Sequence, residues 1–244
     1  CLLSRGLGDV YKRQTMASVY GPSGTAPRSG YGNTPTYAFF NYVSPTKLYF
    51  HFSGIPDGTT ITIPCTGSWS NIKMNWGDGT TDGAWISSGS GSYVGQPSHT
   101  YVTGGVYIVE FSGYTESTSA VCTGLGENGW SSASYLTKMT ADNSTWGCDT
   151  TLIDVSYLCK NATSIKSVPS TFPSQITNIS YMFDSATSFN CDIRDWDVSN
   201  VTDMSGTFNG ATGFNQDVRY WTLNGSTPTL TNMFNGATSL ATQY

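Results

Sequence analysis

Charge is scarce in this chain. Only 11 % of its 244 residues are Asp, Glu, Lys or Arg, where a globular domain carries about 25 %. A coiled coil or helical bundle needs Ala, Glu, Lys and Leu in quantity, so that class is excluded. Histidine is nearly missing, with His51 and His99 alone, and no Cys-x-x-Cys or His-x-x-x-His spacing occurs. A zinc site therefore has too few ligands. No Gly-x-Ser-x-Gly elbow is present and no Ser-His-Asp set can be assigned. No phosphate-cradling Gly-x-x-x-x-Gly-Lys run is present either. No stretch of about 18 apolar residues exists to span a membrane. What fills the chain instead is Gly, Ser, Thr and Asn, together with 7 Trp, 15 Tyr and 11 Phe. So many aromatics are incompatible with a disordered acidic tail.

The first fourteen residues, CLLSRGLGDVYKRQ, resemble a translated sequencing adapter and are set aside as an artefact. Without Arg5, Lys12, Arg13 and Asp9 the balance is eight basic against fifteen acidic residues, a net charge of −7. No basic run remains, so nucleic acid is not an expected partner. If Met16 is the natural start, the sequence after it has no secretory signal. Residues 15–35, rich in Gly, Pro, Ser and Tyr, read as a flexible arm.

From Thr36 onward, short β-branched and aromatic runs alternate with turn signals. Examples are Tyr37–Phe40, Lys47–Phe52, Thr59–Ile63, Asn71–Trp76 and Val106–Phe111. This pattern predicts a β-sandwich over residues 36–115. Trp76-Gly77-Asp78-Gly79, His99-Thr100-Tyr101 and Gly105-Val106-Tyr107-Ile108-Val109 follow in order. The set resembles the signature of a PKD domain, which implies an Ig-like sandwich.

The second half is periodic. Ile179, Phe183, Ala186, Phe189 and Trp196 recur 25 residues later as Met204, Phe208, Ala211, Phe214 and Trp221. Phe208, Ala211 and Phe214 recur after 26 as Phe234, Ala237 and Leu240, and Ala-Thr-x-apolar occurs four times. Such a fixed period predicts a solenoid, in which each unit becomes a core only against the next. The consensus over residues 151–244 resembles the BspA-like leucine-rich repeat family, also called DUF285. The resemblance implies short parallel strands, here Asn190 to Asp195 and Asn215 to Tyr220. It also implies a helical or 3-10 turn over Asn200 to Asn209. The first unit departs from the pattern, with Cys159 where later units have Phe. The last unit stops at Tyr244 without a polar cap, so the natural protein is expected to continue. Residues 116–150, carrying Trp130 and Trp146, are read as the connection and the N-terminal cap of the solenoid. The overall expectation is mainly β, a PKD-like sandwich followed by a leucine-rich-repeat solenoid of about four units.

Carboxylates are the best candidates for chemistry. Asp192 and Asp217 occupy equivalent positions of adjacent repeats, as do Asn190 and Asn215. In a parallel stack such pairs lie about 4.8 Å apart. Stacked Asn side chains can bond along the axis, and stacked carboxylates repel unless solvated or bound to a cation. Asp192 and Asp217, with Asp78 and Asp82 near the Gly-Asp-Gly turn, are thus weak calcium candidates. A glycosidase pair is the catalytic alternative, and a solvated acidic edge is the favoured reading. Recurrent Phe and Trp are read as core, whereas Tyr20, Tyr31, Tyr37 and Tyr42 could be exposed. Five cysteines remain beyond Cys1, namely Cys65, Cys122, Cys148, Cys159 and Cys191. An odd count leaves one thiol over. Cys65 with Cys122, or Cys148 with Cys159, are the pairings considered. Asn-x-Ser/Thr sequons at Asn143, Asn161, Asn178, Asn200 and Asn224 are expected by chance in this composition.

With no catalytic set and no cofactor motif, the preferred expectation is a non-catalytic binding or adhesion protein. It would act outside the cell or at its surface and contact a host or matrix protein or glycan. Asn190, Asp192, Arg194, Asn215, Asp217 and Arg219 form the candidate contact surface. Attachment to a cell or particle through the arm would make a virion fibre or capsid decoration the alternative. A polysaccharide-active enzyme using the Asp pair is the second alternative.

Overall fold

A computed structural model describes residues 47–70, 72–80, 89–90, 96–113, 121–126, 128–142, 144–148, 152–225 and 227–240. The chain divides into Cys1–Tyr42 and Val43–Tyr244, and all the described residues belong to the second unit. The arm, Tyr20, Tyr31, Tyr37, Tyr42, the run Tyr37–Phe40 and Asp82 lie outside them.

The described chain is mainly β. Its strands are β1 (Lys47–Ile55), β2 (Thr59–Thr62), β3 (Cys65–Ser70), β4 (Ile72–Asn75), β5 (Gly89–Ser90), β6 (Ser98–Tyr101), β7 (Gly105–Gly113), β8 (Val121–Leu125) and β9 (Leu136–Ala141). They form antiparallel sheets in the orders β4-β7-β1-β9, β2-β6 and β5-β3-β8. Alternation sets the inward faces. Leu48, Phe50 and Phe52 of β1 are fully buried, while Lys47, Tyr49 and His51 between them are partly exposed. Phe50 lies between Val109 of β7 and Met139 of β9 in register. The Trp130 ring meets Phe50 and Phe52 edge-on, and its Nε1 donates to Thr62 O at 2.6 Å. Among the described residues the one short helix is a 3-10 turn at Ser131–Tyr135.

β8 and β9 lie in the stretch read as connection and cap, yet they pair with β3 and β1. Their far edges serve the residues that follow. Gly124 of β8 bridges Asp154, and Lys138 of β9 bridges Ser167, both in parallel. The sheets thus present two edges on which the periodic region begins.

That region forms four tiers, residues 152–176, 177–201, 202–225 and 228–240, linked by parallel bridges through Asp154, Asn178, Asp203 and Thr229. Four amides at alternate residues of one tier donate to carbonyls of the next. Ile179, Tyr181, Phe183 and Ser185 donate to Asp203, Ser205, Thr207 and Asn209. Phe208 stacks on Phe183 (5.7 Å between centroids, 5° between planes) and on Phe234 (5.5 Å, 4°). Phe189 and Phe214 form a second column alongside. The buried apolar residues of sheets and tiers make one continuous cluster.

The expected secondary structure inside the tiers is corrected. Asn190 to Asp195 and Asn215 to Tyr220 contain no strand, because Asp192 Oδ1 caps the Arg194 amide and Asp217 Oδ1 caps the Arg219 amide, folding each segment into a turn. The parallel contacts fall at the start of each tier instead. Asn200 to Asn209 is not helical either. Its amides at Gly206 and Phe208 donate to Thr231 and Met233 of the next tier rather than back along their own chain. Left-handed residues recur here at equivalent positions, Tyr157, Tyr181, Gly206 and Asn232 (φ 62°, 55°, 59° and 56°), and each breaks the regular helical progression.

Candidate functional site

In the sheet region the carboxylate of Asp78 sits at the end of the Trp76-Gly77 turn. It accepts from the Thr80 amide (2.9 Å) and the Thr80 hydroxyl, and it pairs with His99 Nε2 at 2.7 Å. His99 in turn stacks on Trp76 and meets Tyr101 edge-on, and Tyr101 donates to Trp76 O. Burial pushes the Asp78 carboxyl up, but the Thr80 and His99 contacts outweigh it and hold it below the usual carboxylate range. These partners engage both oxygens of the Asp78 carboxylate. Among the described residues no group of three or more His, Cys, Asp or Glu side chains is placed to hold a metal.

A group with a depressed folded pKa stabilises the protein above its unfolded value and loses that contribution as pH falls through the folded value. Asp78→Asn is therefore expected to lower stability at neutral pH. The gap from the parent should close as the pH drops below about 4, the unperturbed Asp range. Urea melts of both proteins between pH 7 and pH 3 check this.

On the tiers, Asp192 and Asp217 do not form a bare carboxylate pair. Arg194 Nη2 lies 3.3 Å from Asp192 Oδ2, and Arg219 Nη2 lies 2.7 Å from Asp217 Oδ2. Hydrogen bonds from Arg219 lower the Asp217 carboxyl to about 2. A glycosidase acid needs a shift in the opposite direction, to a raised pKa. Asn190 and Asn215 also meet differently from the expected side-chain ladder. Asn190 Oδ1 accepts the Asn215 amide (2.8 Å) and Gln216 Nε2 (2.8 Å).

A polar ladder does exist, one that single-residue inspection missed. Asn235 Nδ2 donates to Asn209 Oδ1 (2.9 Å), Asn209 Nδ2 donates to Asp184 Oδ1 (2.9 Å), and Lys160 Nζ pairs with Asp184 Oδ2 (3.0 Å). All four occupy the position two before the Ala-Thr pair of each repeat, so aligning the repeats column by column exposes them. Lys160 also lies over the stacked rings of Tyr157 and Tyr181. Asp184 is buried, so Asp184→Ala leaves Lys160 and Asn209 without their acceptor. The expected loss is about 2 kcal/mol, measured by denaturant unfolding. Adding Lys160→Met should recover part of it.

Among the described residues neither of the considered pairings is formed as a disulfide. Cys122 lies within hydrogen-bonding reach of both Cys65 and Cys148. Its contact with Cys65, reinforced by burial, pushes the Cys65 thiol up. Cys159, fully buried where other tiers have Phe, lies 3.6 Å from Met139 Sδ rather than against Cys148.

No helix among the described residues is long and apolar enough to cross a membrane. No curated protein and no solved structure matches the chain. Residues 150–244 match the family model described as "Mycoplasma protein of unknown function, DUF285"; the matched stretch takes in all four tiers and stops short of the nine strands.

Proposed function

We propose that this is a non-catalytic binding protein of the cell surface or extracellular space, in which a PKD-like sandwich carries a leucine-rich-repeat solenoid that recognises a protein or glycan. The observation that carries this reading is the repeated outward presentation of charged turns. Asp192–Arg194 and Asp217–Arg219 recur on successive tiers, and their Arg side chains are 53 % and 67 % exposed. Stacked repeats supply the extended surface such recognition uses, and Arg is the side chain most suited to bidentate contact with carboxylates or sulfates. The sandwich reading is supported by the Trp76, His99 and Tyr101 cluster beside Asp78. The solenoid reading is supported by the tier-to-tier amide ladder and the Phe columns. The acidic pair does not favour an enzyme, because each carboxylate is tied to its own arginine.

Immobilised host-matrix proteins and an array of acidic glycans test the proposal. The parent should be retained on at least one surface and hydrolyse none of the glycans. Retention should fall at least about tenfold in Arg194→Ala/Arg219→Ala, equivalent to about 1.4 kcal/mol, with an unchanged melting temperature. Retention unaffected by the double substitution, or glycan turnover, would overturn it.

A further inference from the structure

We propose that Cys122 and Cys148 are an oxidisable pair, whose disulfide staples β8 to the segment carrying Trp146, and that Cys65 takes no part in the bond. The proposal stands apart from recognition through the charged turns, since it concerns the interior. Three of the cysteines converge on one place from separate parts of the chain. Cys65 opens β3, Cys122 lies in β8, and Cys148 follows β9. Their exposures are 2 %, 0 % and 1 %. Cys122 is the middle member, within hydrogen-bonding reach of both others, and its Sγ lies 3.4 Å from Gly124 O.

Disulfide geometry decides between the two bonds that Cys122 could make. The Cα atoms must lie about 4.4–6.8 Å apart. β3 and β8 are neighbours, but Cys65 pairs with Leu125 and Cys122 pairs with Trp69. Cys65 therefore faces a position three residues from Cys122, about 10 Å away along β8. Their sulfurs meet only with both side chains stretched toward each other, and a bond would pull the strands out of register. Cys148 is under no such restraint, because it comes from outside that sheet. Its amide donates to Thr145 O (3.2 Å). Beside it, a Cβ on Gly147 (φ +75°) would lie 2.8 Å from Phe111 O and 3.0 Å from Leu48 N. Leu48 and Phe111 belong to the sheet β4-β7-β1-β9. Cys122 of one sheet thus meets a residue held against the other.

The same segment reaches the tiers. Trp146 meets Phe172 and Trp196 edge-on and donates to Thr171 O (2.9 Å). The Leu125 amide, just beyond Cys122, donates to Asp154 O. The bond would therefore close a loop where the sheets meet the first tier. Its oxidant is a small disulfide of the glutathione class. One cysteine thiolate attacks a glutathione sulfur, giving a mixed disulfide and expelling one glutathione thiolate. The second cysteine attacks the protein sulfur of that mixed disulfide, and the other glutathione leaves. The two cysteine protons pass to the departing thiolates, so two cysteines are oxidised as one glutathione disulfide is reduced. Because the folded site is closed to solvent, the exchange takes place while the chain folds.

The full chain, refolded from urea in oxidised and reduced glutathione, tests this. Remaining thiols are alkylated, and the unreduced protein is cut with chymotrypsin at Tyr157 and Leu158, which separates Cys148 from Cys159. Mass spectrometry should find one internal disulfide, Cys122–Cys148, with Cys65 alkylated. Adding reductant should lower the melting temperature of the parent by about 5–10 °C. Cys65→Ser should keep both the bond and the shift, and Cys148→Ser should lose both. A bridge from Cys65 to Cys122 or from Cys148 to Cys159, or no bridge in the parent, overturns the proposal. A Cys122–Cys148 bond whose reduction leaves the melting temperature unmoved overturns its role as a staple.

Discussion

Phe208→Ala is expected to destabilise the protein by about 3–5 kcal/mol, the range for removing a fully buried aromatic ring. Phe208 has no exposed surface and touches more of the ring system than any single tier contains. It stacks on Phe214 at 4.0 Å, on Phe183 and Phe234 across both junctions, and packs against Phe189 and Trp221. Its loss opens a cavity bounded by flat rings that cannot fold inward to fill it. Guanidinium unfolding monitored by tryptophan fluorescence measures the change. Phe234→Ala, at the partly exposed end of the same column, is expected to cost markedly less. Equal losses at the two positions would mean that the column is not cooperative.

A comparable effect is expected from a smaller change. Gly126 has φ of +123° and follows β8. A Cβ there would lie 2.0 Å from Ser156 O and 2.8 Å from Leu158 N. Both are backbone atoms of the first tier, so neither can rotate away. Gly126→Ala should cost at least about 3 kcal/mol, combining overpacking with an unfavourable backbone region. Gly129 supplies the control, since it also has positive φ (+92°) but nothing within 4 Å of its Cβ position. Gly129→Ala should cost only about 1–2 kcal/mol. The difference between the two, read from thermal or urea unfolding, isolates the close approach of β8 to the first tier.

Much of this arrangement was legible in the sequence, and the failures are informative. The aromatic columns could be read because Phe183, Phe208 and Phe234 recur at a fixed interval and large rings at equivalent places must stack. The strands β1, β4 and β7 could be read from alternation. The path of the backbone within each tier could not. It depends on left-handed residues, and two of these are tyrosines, Tyr157 and Tyr181, which carry no turn signal. The parallel contacts were accordingly expected near Asn190 and Asn215 when they lie at Asp154, Asn178, Asp203 and Thr229. The ion pairs of Asp192 and Asp217 were not read for a related reason. Comparison down the repeat aligned the two acids, whereas their partners, Arg194 and Arg219, lie two residues along the same turn. The segment after residue 115 was read as the connection and N-terminal cap of the solenoid because β8 and β9 are short. Only long-range pairing with β3 and β1 reveals them as parts of the sheets.

The direction of the tier-to-tier hydrogen bonds has a mechanical consequence. They lie along the stacking axis, four amides of each tier donating to the next while others, such as Thr202 to Thr177 and Gly213 to Thr187, donate back, so a pull that separates the tiers loads one junction of a few bonds at a time, and the molecule should yield by peeling tier from tier. A pull within the plane of a tier would instead strain all the bonds of that junction together and slide the Phe rings across one another. An anchored molecule of this design would resist sideways drag far better than lifting.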